Sequence, residues 1–126
     1  SFEIADDEVE IGLGIHGEPG THREKMATAN EFTEKLFEKI YTESDVQKGD
    51  RFAVLVNGLG ETTLIELFII NNHLQDLLKA KGVEVAKTLV GNYMTSLDMG
   101  GFSITLLKLD NEMEELLKAE EDTIAF

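Results

Sequence analysis

The chain has 126 residues, which is enough for one domain with a hydrophobic core. Its 25 acidic and 11 basic residues give a net charge of −14, which repels the phosphate backbone of nucleic acids. The apolar runs are far shorter than the roughly 20 residues of a membrane span. The lack of cysteine excludes disulfides, thiolate metal sites and cysteine catalysis. We therefore expect a cytoplasmic globular domain that binds neither nucleic acid nor membrane.

The first half of the sequence predicts a strand, a helix and a second strand. Aliphatic residues alternate with polar or small ones from Val9 to Ile15, which is the period of a strand. This alternation places His16 on the face opposite the aliphatic residues. Apolar residues then recur every three to four positions from Met26 to Tyr41, which predicts a helix. The apolar run Phe52–Val56 is typical of a buried strand.

The second half predicts a long helix, two strands and a short helix. Thr62 or Thr63 caps the long helix, which reaches about Lys81 and ends at Gly82. We expect Leu67 and Phe68 to lie on its buried stripe. The remaining elements are predicted as strands at Val83–Val90 and Phe102–Leu109 and a helix at Asn111–Lys118.

The predicted order of elements is β-α-β-α-β-β-α. Each β-α-β crossover favours parallel neighbouring strands with the helices on one face. The last two strands are too close in sequence for a crossover helix, so one antiparallel partner is expected. We predict an α/β fold with a mixed, mainly parallel sheet and helices mostly on one face. A further domain or a second subunit is then needed to cover the other face.

The stretch EIGLGIHGEPG surrounds His16 with glycines and with the only proline of the chain. At the carboxyl end of a strand, where open α/β sheets place their sites, His16 could act as a nucleophile, general base or ligand. A surface or interface histidine fits the residues equally well. Gly14 and Gly17 leave the ring accessible, and Glu18 is close enough in sequence to hydrogen-bond it.

The other polar motifs carry weaker signals. His22 and His73 have no spacing relation that predicts a metal site, and an exposed or interface position is favoured for His73. The stretch NGLGETT follows a strand and opens a helix like a phosphate cradle, but it lacks the lysine of a P-loop, so a tight turn is favoured. Asp98, in TSLDMGG, could be a base, although a role as a loop cap is favoured.

Several strings together resemble one family. The chain resembles the second half of the substrate-binding subunit of dihydroxyacetone (glycerone) kinase. The matching strings are, in order, EIGLGIHGEPG, VNGLG, VGNYMTSLDMGGFSITLLKLD and a terminal DT-AF that skips Ile124. The resemblance implies that His16 is catalytic: its Nε2 attacks the ketone carbon of dihydroxyacetone, and the hemiaminal holds the substrate during phosphoryl transfer. It also implies that His16 and Gly17 form the substrate-binding motif. From the histidine spacing we expect no metal site in this domain.

The same resemblance implies that residues 1–126 are the C-terminal domain of a longer subunit. The uncovered face of the sheet separately predicts that this subunit associates as a homodimer. An N-terminal domain would supply a second histidine and an aspartate for proton transfer. This domain would hold no cofactor, because a partner kinase subunit or domain carries ATP–Mg or a phosphoenolpyruvate-derived phosphoryl donor. The family also includes co-activators that bind dihydroxyacetone without kinase activity, which is the alternative function. The sequence departs from the family pattern at Glu61–Thr63, Glu120 and Ile124.

Overall fold

The computed structural model of the protein describes residues 3–14, 16, 18–97 and 99–119. The described residues form the strands and helices of an α/β fold with a mixed sheet, which confirms the predicted class. In this part of the chain, no helix is long and apolar enough to cross a membrane. In chain order, the elements are β1 (Glu8–Ile11), β2 (His22–Lys25), α1 (Ala29–Glu43), β3 (Arg51–Gly58), α2 (Leu64–Ala80), β4 (Glu84–Gly91), β5 (Phe102–Lys108) and α3 (Asn111–Lys118).

The main sheet is mixed and has the strand order β4-β3-β5. Strand β3 pairs in parallel with β4, its partner across the α2 crossover, and antiparallel with β5. This pairing confirms the antiparallel partner that the short β4–β5 connection predicts. It leaves β3, the most apolar strand, at the centre of the sheet, where both of its edges are hydrogen-bonded.

The hydrophobic core lies between the main sheet and helices α1 and α2. Alternate residues of β3 point into it, and α2 contributes a stripe spaced three to four residues apart, which is the period of a helix. Phe37 of α1 is 1% exposed and joins the same cluster. The buried members from β3 and α2 are Phe52, Val54, Val56, Leu67, Ile70, Leu74 and Leu78.

Helices α1 and α2 both begin with a complete capping box. Thr63 accepts a hydrogen bond from the main-chain N–H of Glu66, whose carboxylate in turn accepts one from the Thr63 N–H. Thr28 and Glu31 form the same arrangement at the start of α1. Gly82 follows α2 with φ of 73°, a conformation that glycine adopts without strain. The predicted start and end of α2 are therefore confirmed.

The N-terminal strand differs from the prediction. Strand β1 ends at Ile11 and not at Ile15, because Gly12 has φ of 80°, which does not continue a strand. It does not join the main sheet as a parallel neighbour, since it pairs antiparallel with β2 in a separate two-stranded sheet. Strand β2 was not predicted, because its sequence HREK has no apolar alternation.

The buried stripe of α2 was only half predicted. Leu67 is 0% exposed, as expected, whereas Phe68 is 51% exposed, so its predicted burial is wrong. Because α2 is apolar on most of its circumference, its sequence does not predict which of its faces packs against the sheet. The exposed apolar side chains of α2 are Leu64, Ile65, Phe68 and Ile69.

Candidate functional site

The histidine motif forms the loop that connects β1 to β2. The loop leaves β1 at Gly12 and returns at Thr21, whose main-chain N–H donates to the Ile11 carbonyl at 2.7 Å. The Thr21 hydroxyl donates to the same carbonyl at 3.1 Å. These two bonds close the loop at its base. His16 therefore lies in a hairpin loop, and its predicted position at the end of a strand of the main sheet is wrong.

Glu10 of β1 braces the base of this loop. Its side chain is 7% exposed, and its Oε1 accepts a hydrogen bond from the Gly20 N–H at 2.6 Å. Its Oε2 accepts one from Arg23 Nε at 3.3 Å. A side chain at position 20 would not fit, because a Cβ there would lie 2.3 Å from the Ile11 carbonyl oxygen. A buried carboxylate thus ties the returning strand to the outgoing one.

Sequence reasoning missed Glu10, although a signal for it exists. The cross-strand partners of Glu8 and Glu10 are Lys25 and Arg23. Acidic residues occupy alternate positions before the glycine-rich loop, and basic residues occupy alternate positions after it. This charge pattern predicts an antiparallel pair of strands where hydropathy does not.

Glu18 braces the tip of the loop. Its Oε2 accepts a hydrogen bond from the main-chain N–H of His16 at 2.9 Å. Its own carbonyl accepts one from the N–H of Gly14 at 3.2 Å. Glu18 therefore does hydrogen-bond His16, but through the main chain and not through the imidazole ring.

The His16 side chain is exposed. Its ring forms no hydrogen bond with any other residue that the structure describes. Gly17, the second predicted substrate-binding residue, lies outside the described residues. Two surface hollows, of about 290 and 510 Å³, lie elsewhere, against α3 and between α1 and α2. His16 is thus an exposed imidazole on a loop that is braced at both its base and its tip.

His22 and His73 are engaged with neighbouring side chains. His22 lies 3.0 Å from the Thr21 hydroxyl through Nδ1 and 2.7 Å from Glu24 through Nε2. Glu24 also pairs with Lys35 of α1, and these hydrogen bonds, led by the one from Lys35, hold the pKa of its carboxyl below the ordinary value. His73 Nε2 lies 2.9 Å from Glu34. Both histidines therefore have the partners of structural residues, unlike His16.

Residues 59–63 of the NGLGETT stretch form a turn that is bonded to the β4–β5 loop, whereas Asn57 and Gly58 belong to β3. The N–H groups of Leu59 and Glu61 donate to the carbonyls of Gly101 and Met99. The Thr63 N–H donates to Glu66. Since these donors are already used, the favoured interpretation as a tight turn is supported over a phosphate cradle.

Asn57 is the polar residue that holds this region together, and sequence reasoning missed its role. It is 3% exposed. Its Oδ1 accepts hydrogen bonds from the N–H groups of Tyr93 and Met94 at 2.8 and 2.9 Å, and its Nδ2 donates to the Met94 carbonyl at 2.7 Å. Asp98, the other candidate in this loop, lies outside the described residues. The end of β3 thus fixes the first residues of the β4–β5 loop.

No group of three or more histidine, aspartate or glutamate side chains suited to a metal ion occurs in the described part of the chain.

Comparison with known families matches residues 1–125 to the Dak1 domain. The chain belongs to the Dak1 family. It is 51% identical over 126 residues to the dihydroxyacetone-binding subunit of a phosphotransferase-system-dependent dihydroxyacetone kinase from Listeria innocua. The alignment covers 99% of this chain but 38% of that subunit, so the chain spans well under half the length of this relative.

Solved structures share the fold of this Dak1 chain. The dihydroxyacetone kinase operon co-activator DhaQ superposes with a TM-score of 0.80 at 37% identity, over 91% of this chain and 36% of the co-activator. The dihydroxyacetone kinase of C. freundii superposes with a TM-score of 0.72 at 28% identity, over 94% of this chain and 21% of the kinase. These neighbours confirm the fold and the family resemblance, and they include both a kinase and a co-activator.

Proposed function

We propose that this chain is part of the substrate-binding subunit of a dihydroxyacetone kinase and that His16 captures dihydroxyacetone covalently. The observation that carries the proposal is the accessible His16 ring on a braced loop, in a Dak1 chain half identical to a dihydroxyacetone-binding subunit. His22 and His73 have carboxylate partners and do not compete for this role.

The proposed capture is an addition of imidazole to a ketone. The Nε2 lone pair attacks the carbonyl carbon of dihydroxyacetone, a C–N bond forms and the C=O π bond breaks. The carbonyl oxygen takes up a proton and Nδ1 releases one, so the product is a neutral hemiaminal. Glycerol has similar hydroxyl groups but no carbonyl, so it cannot form this bond and is rejected.

The exposed side chain of His16 supports a site that other parts of the protein complete. We propose that residues 1–126 act as the C-terminal domain of a longer subunit, since the Listeria relative is far longer than this chain. Its remaining part would supply the further hydrogen bonds to dihydroxyacetone. We also propose that a partner subunit or domain holds the phosphoryl donor, either ATP–Mg or a phosphoenolpyruvate-derived group, and that two copies of the subunit associate.

Binding measurements on the complete protein that contains this chain test the capture. We expect wild-type protein, His22→Ala and His73→Ala to bind dihydroxyacetone and to discriminate against glycerol. We expect His16→Ala to lose this discrimination, because it depends on the bond to the carbonyl. Unchanged preference for dihydroxyacetone in His16→Ala would contradict the proposal.

The second candidate is a dihydroxyacetone-binding co-activator. It is favoured by the higher TM-score to the co-activator DhaQ than to the C. freundii kinase, 0.80 against 0.72. Both candidates use the same capture by His16, so binding does not separate them. The two candidates are separated by an assay of dihydroxyacetone phosphorylation with the complete protein and its phosphoryl-donor partner. Product formation supports the kinase, and binding without turnover supports the co-activator.

A further inference from the structure

We propose that Glu18 is the positioning residue of His16, acting on the main chain of the loop and not on the imidazole. This inference rests on the proposed capture of a ketone by His16. It starts from the bond of 2.9 Å between the His16 N–H and Glu18 Oε2. Because the Glu18 carboxylate holds the His16 main chain, it also fixes the direction of the His16 Cα–Cβ bond. The position of the imidazole ring depends on this direction.

Gly14 provides the space that the Glu18 side chain occupies. A Cβ at position 14 would lie 2.2 Å from Glu18 Oε2, 2.8 Å from its Cδ and 2.9 Å from its Cβ. Gly14 is not among the glycines with positive φ, so here the glycine is required for space and not for an unusual backbone conformation. The Glu18 side chain lies against the bare Cα of Gly14, and any larger residue would push the carboxylate away from His16.

The Glu18 main chain completes the brace. The Gly14 N–H donates to the Glu18 carbonyl at 3.2 Å, so residues on both sides of His16 are joined directly. The described residues of the loop between Gly12 and Gly20 lie outside the helices and strands. Without the brace, the His16 backbone would sample many conformations, and only some of them would present Nε2 to a substrate held by other parts of the protein.

The hydrogen bond that joins Glu18 to His16 goes to the main chain of His16 and not to its ring. Glu10 serves the base of the loop in the same manner through Gly20, which makes two carboxylates that act on main-chain N–H groups.

The test uses the complete protein and measures the rate of dihydroxyacetone capture. We expect Glu18→Ala to slow capture about 10- to 100-fold, the size of effect that a displaced reacting group causes. Glu18→Gln should restore most of the rate, because its amide oxygen still accepts the His16 N–H, although more weakly than a carboxylate. The matched control Glu115→Ala, at an exposed glutamate of α3, should not change the rate.

Gly14→Ala provides a second, independent test of the role of Glu18. Its methyl group should displace the Glu18 carboxylate and reproduce the slow capture of Glu18→Ala. Because both changes break the same hydrogen bond from His16 to Glu18, the double variant Gly14→Ala/Glu18→Ala should be no slower than the worse single variant. If the fold-reductions in capture rate of the two single variants multiply in the double variant, the two residues act separately, and this would overturn the proposal.

Nuclear magnetic resonance of the His16 main-chain amide separates this proposal from the capture itself. In wild-type protein we expect this amide to exchange with solvent more slowly than in an unstructured peptide, and in Glu18→Ala to lose that protection. An unprotected amide in wild-type protein overturns the role of Glu18, even if a variant fails to fold. The two proposals can also fail separately. If His16→Ala still captures dihydroxyacetone while the His16 amide of wild-type protein is protected, the proposed capture is wrong but the hydrogen bond from this amide to Glu18 is confirmed.

Discussion

Asn57 illustrates how one buried side chain can organise a loop that has no regular structure. Its amide group satisfies three main-chain groups of Tyr93 and Met94 at the point where β4 has ended. In the described residues, no buried side-chain nitrogen or oxygen lacks a hydrogen-bond partner. Burial of the polar side chain is therefore offset by the bonds it makes.

Replacing Asn57 should therefore destabilise the protein strongly. We expect Asn57→Ala to lower the free energy of unfolding by about 3 kcal/mol, because buried main-chain groups lose their partner. The exposed Asn72→Ala on α2 is the matched control, with a change below about 0.5 kcal/mol. Chemical denaturation measures both, and equal stabilities of the two variants would show that the loop is not held by Asn57.

Single residues differed in how far the sequence predicted them. His16 was identifiable because its glycines and proline are unusual around one imidazole. The binding mode of Glu18 was not, since only the folded loop shows that its carboxylate meets a main-chain N–H. The favoured turn at NGLGETT begins at Asn57, because asparagine and glycine together are typical of turns, whereas in the structure the strand continues through Gly58.

The helices and the central strands were predictable because apolar periodicity defines them. Helix α3 lies at the predicted residues, and α2 begins after the predicted threonine cap. The hairpin was not predictable by hydropathy, because β2 has only polar residues and its pairing depends on charge. The orientation of α2 was also ambiguous, because apolar residues occupy both its buried and its exposed sides.

The orientation of α2 leads to a direct comparison of two neighbouring residues. We expect Leu67→Ala to cost about 2–5 kcal/mol of stability, because its side chain is fully buried in the core. Phe68→Ala, next to it but half exposed, should cost less than about 1 kcal/mol. Denaturation in urea measures both, and a larger loss for Phe68→Ala would mean that the helix is rotated from the position described.

The capping box of α2 predicts a pH dependence. The main-chain and hydroxyl hydrogen bonds from Thr63 hold the pKa of Glu66 below its ordinary value of 4.5. A lowered pKa in the folded state means that the carboxylate stabilises the fold above the ordinary pKa. That stabilisation is lost as the pH falls through the lowered value.

We therefore expect Glu66→Gln to have a lower Tm than wild-type protein at about pH 7, and this difference to shrink by about pH 2, where the carboxyl is protonated. Scanning calorimetry at both pH values measures it. Glu115→Gln, an exposed change on α3, should match wild-type protein at both. A difference for Glu66→Gln that is unchanged in acid would mean that the ionised form of Glu66 does not stabilise the helix.

The molecule as a whole leaves apolar surface uncovered on two sides. One is the outer face of α2, with Ile65 74% and Phe68 51% exposed. The other is the sheet face opposite α1 and α2, where Leu55 is only partly buried and Leu107 is 42% exposed. The sequence predicted that one sheet face needs a cover, because its helices fall mainly on one side, but it did not predict the exposed face of α2.

We expect the chain to associate as a dimer, since uncovered apolar surface of this kind favours an interface. Sedimentation at about 100 μM, where even weak dimers are populated, measures this. Phe68→Asp should shift the equilibrium towards monomer, whereas Leu116→Asp, at an exposed apolar residue of α3, should not. A wild-type chain that is strictly monomeric would contradict the prediction.

The proposed covalent role of His16 is tested most directly by a crystal structure of the complete protein soaked in dihydroxyacetone. We predict continuous electron density from His16 Nε2 to the central carbon of the ligand, with His22 and His73 unmodified. The same soak of His16→Ala should give no adduct. Density for an intact, unbonded ketone beside His16, or an adduct on His22 or His73, would contradict the proposed capture.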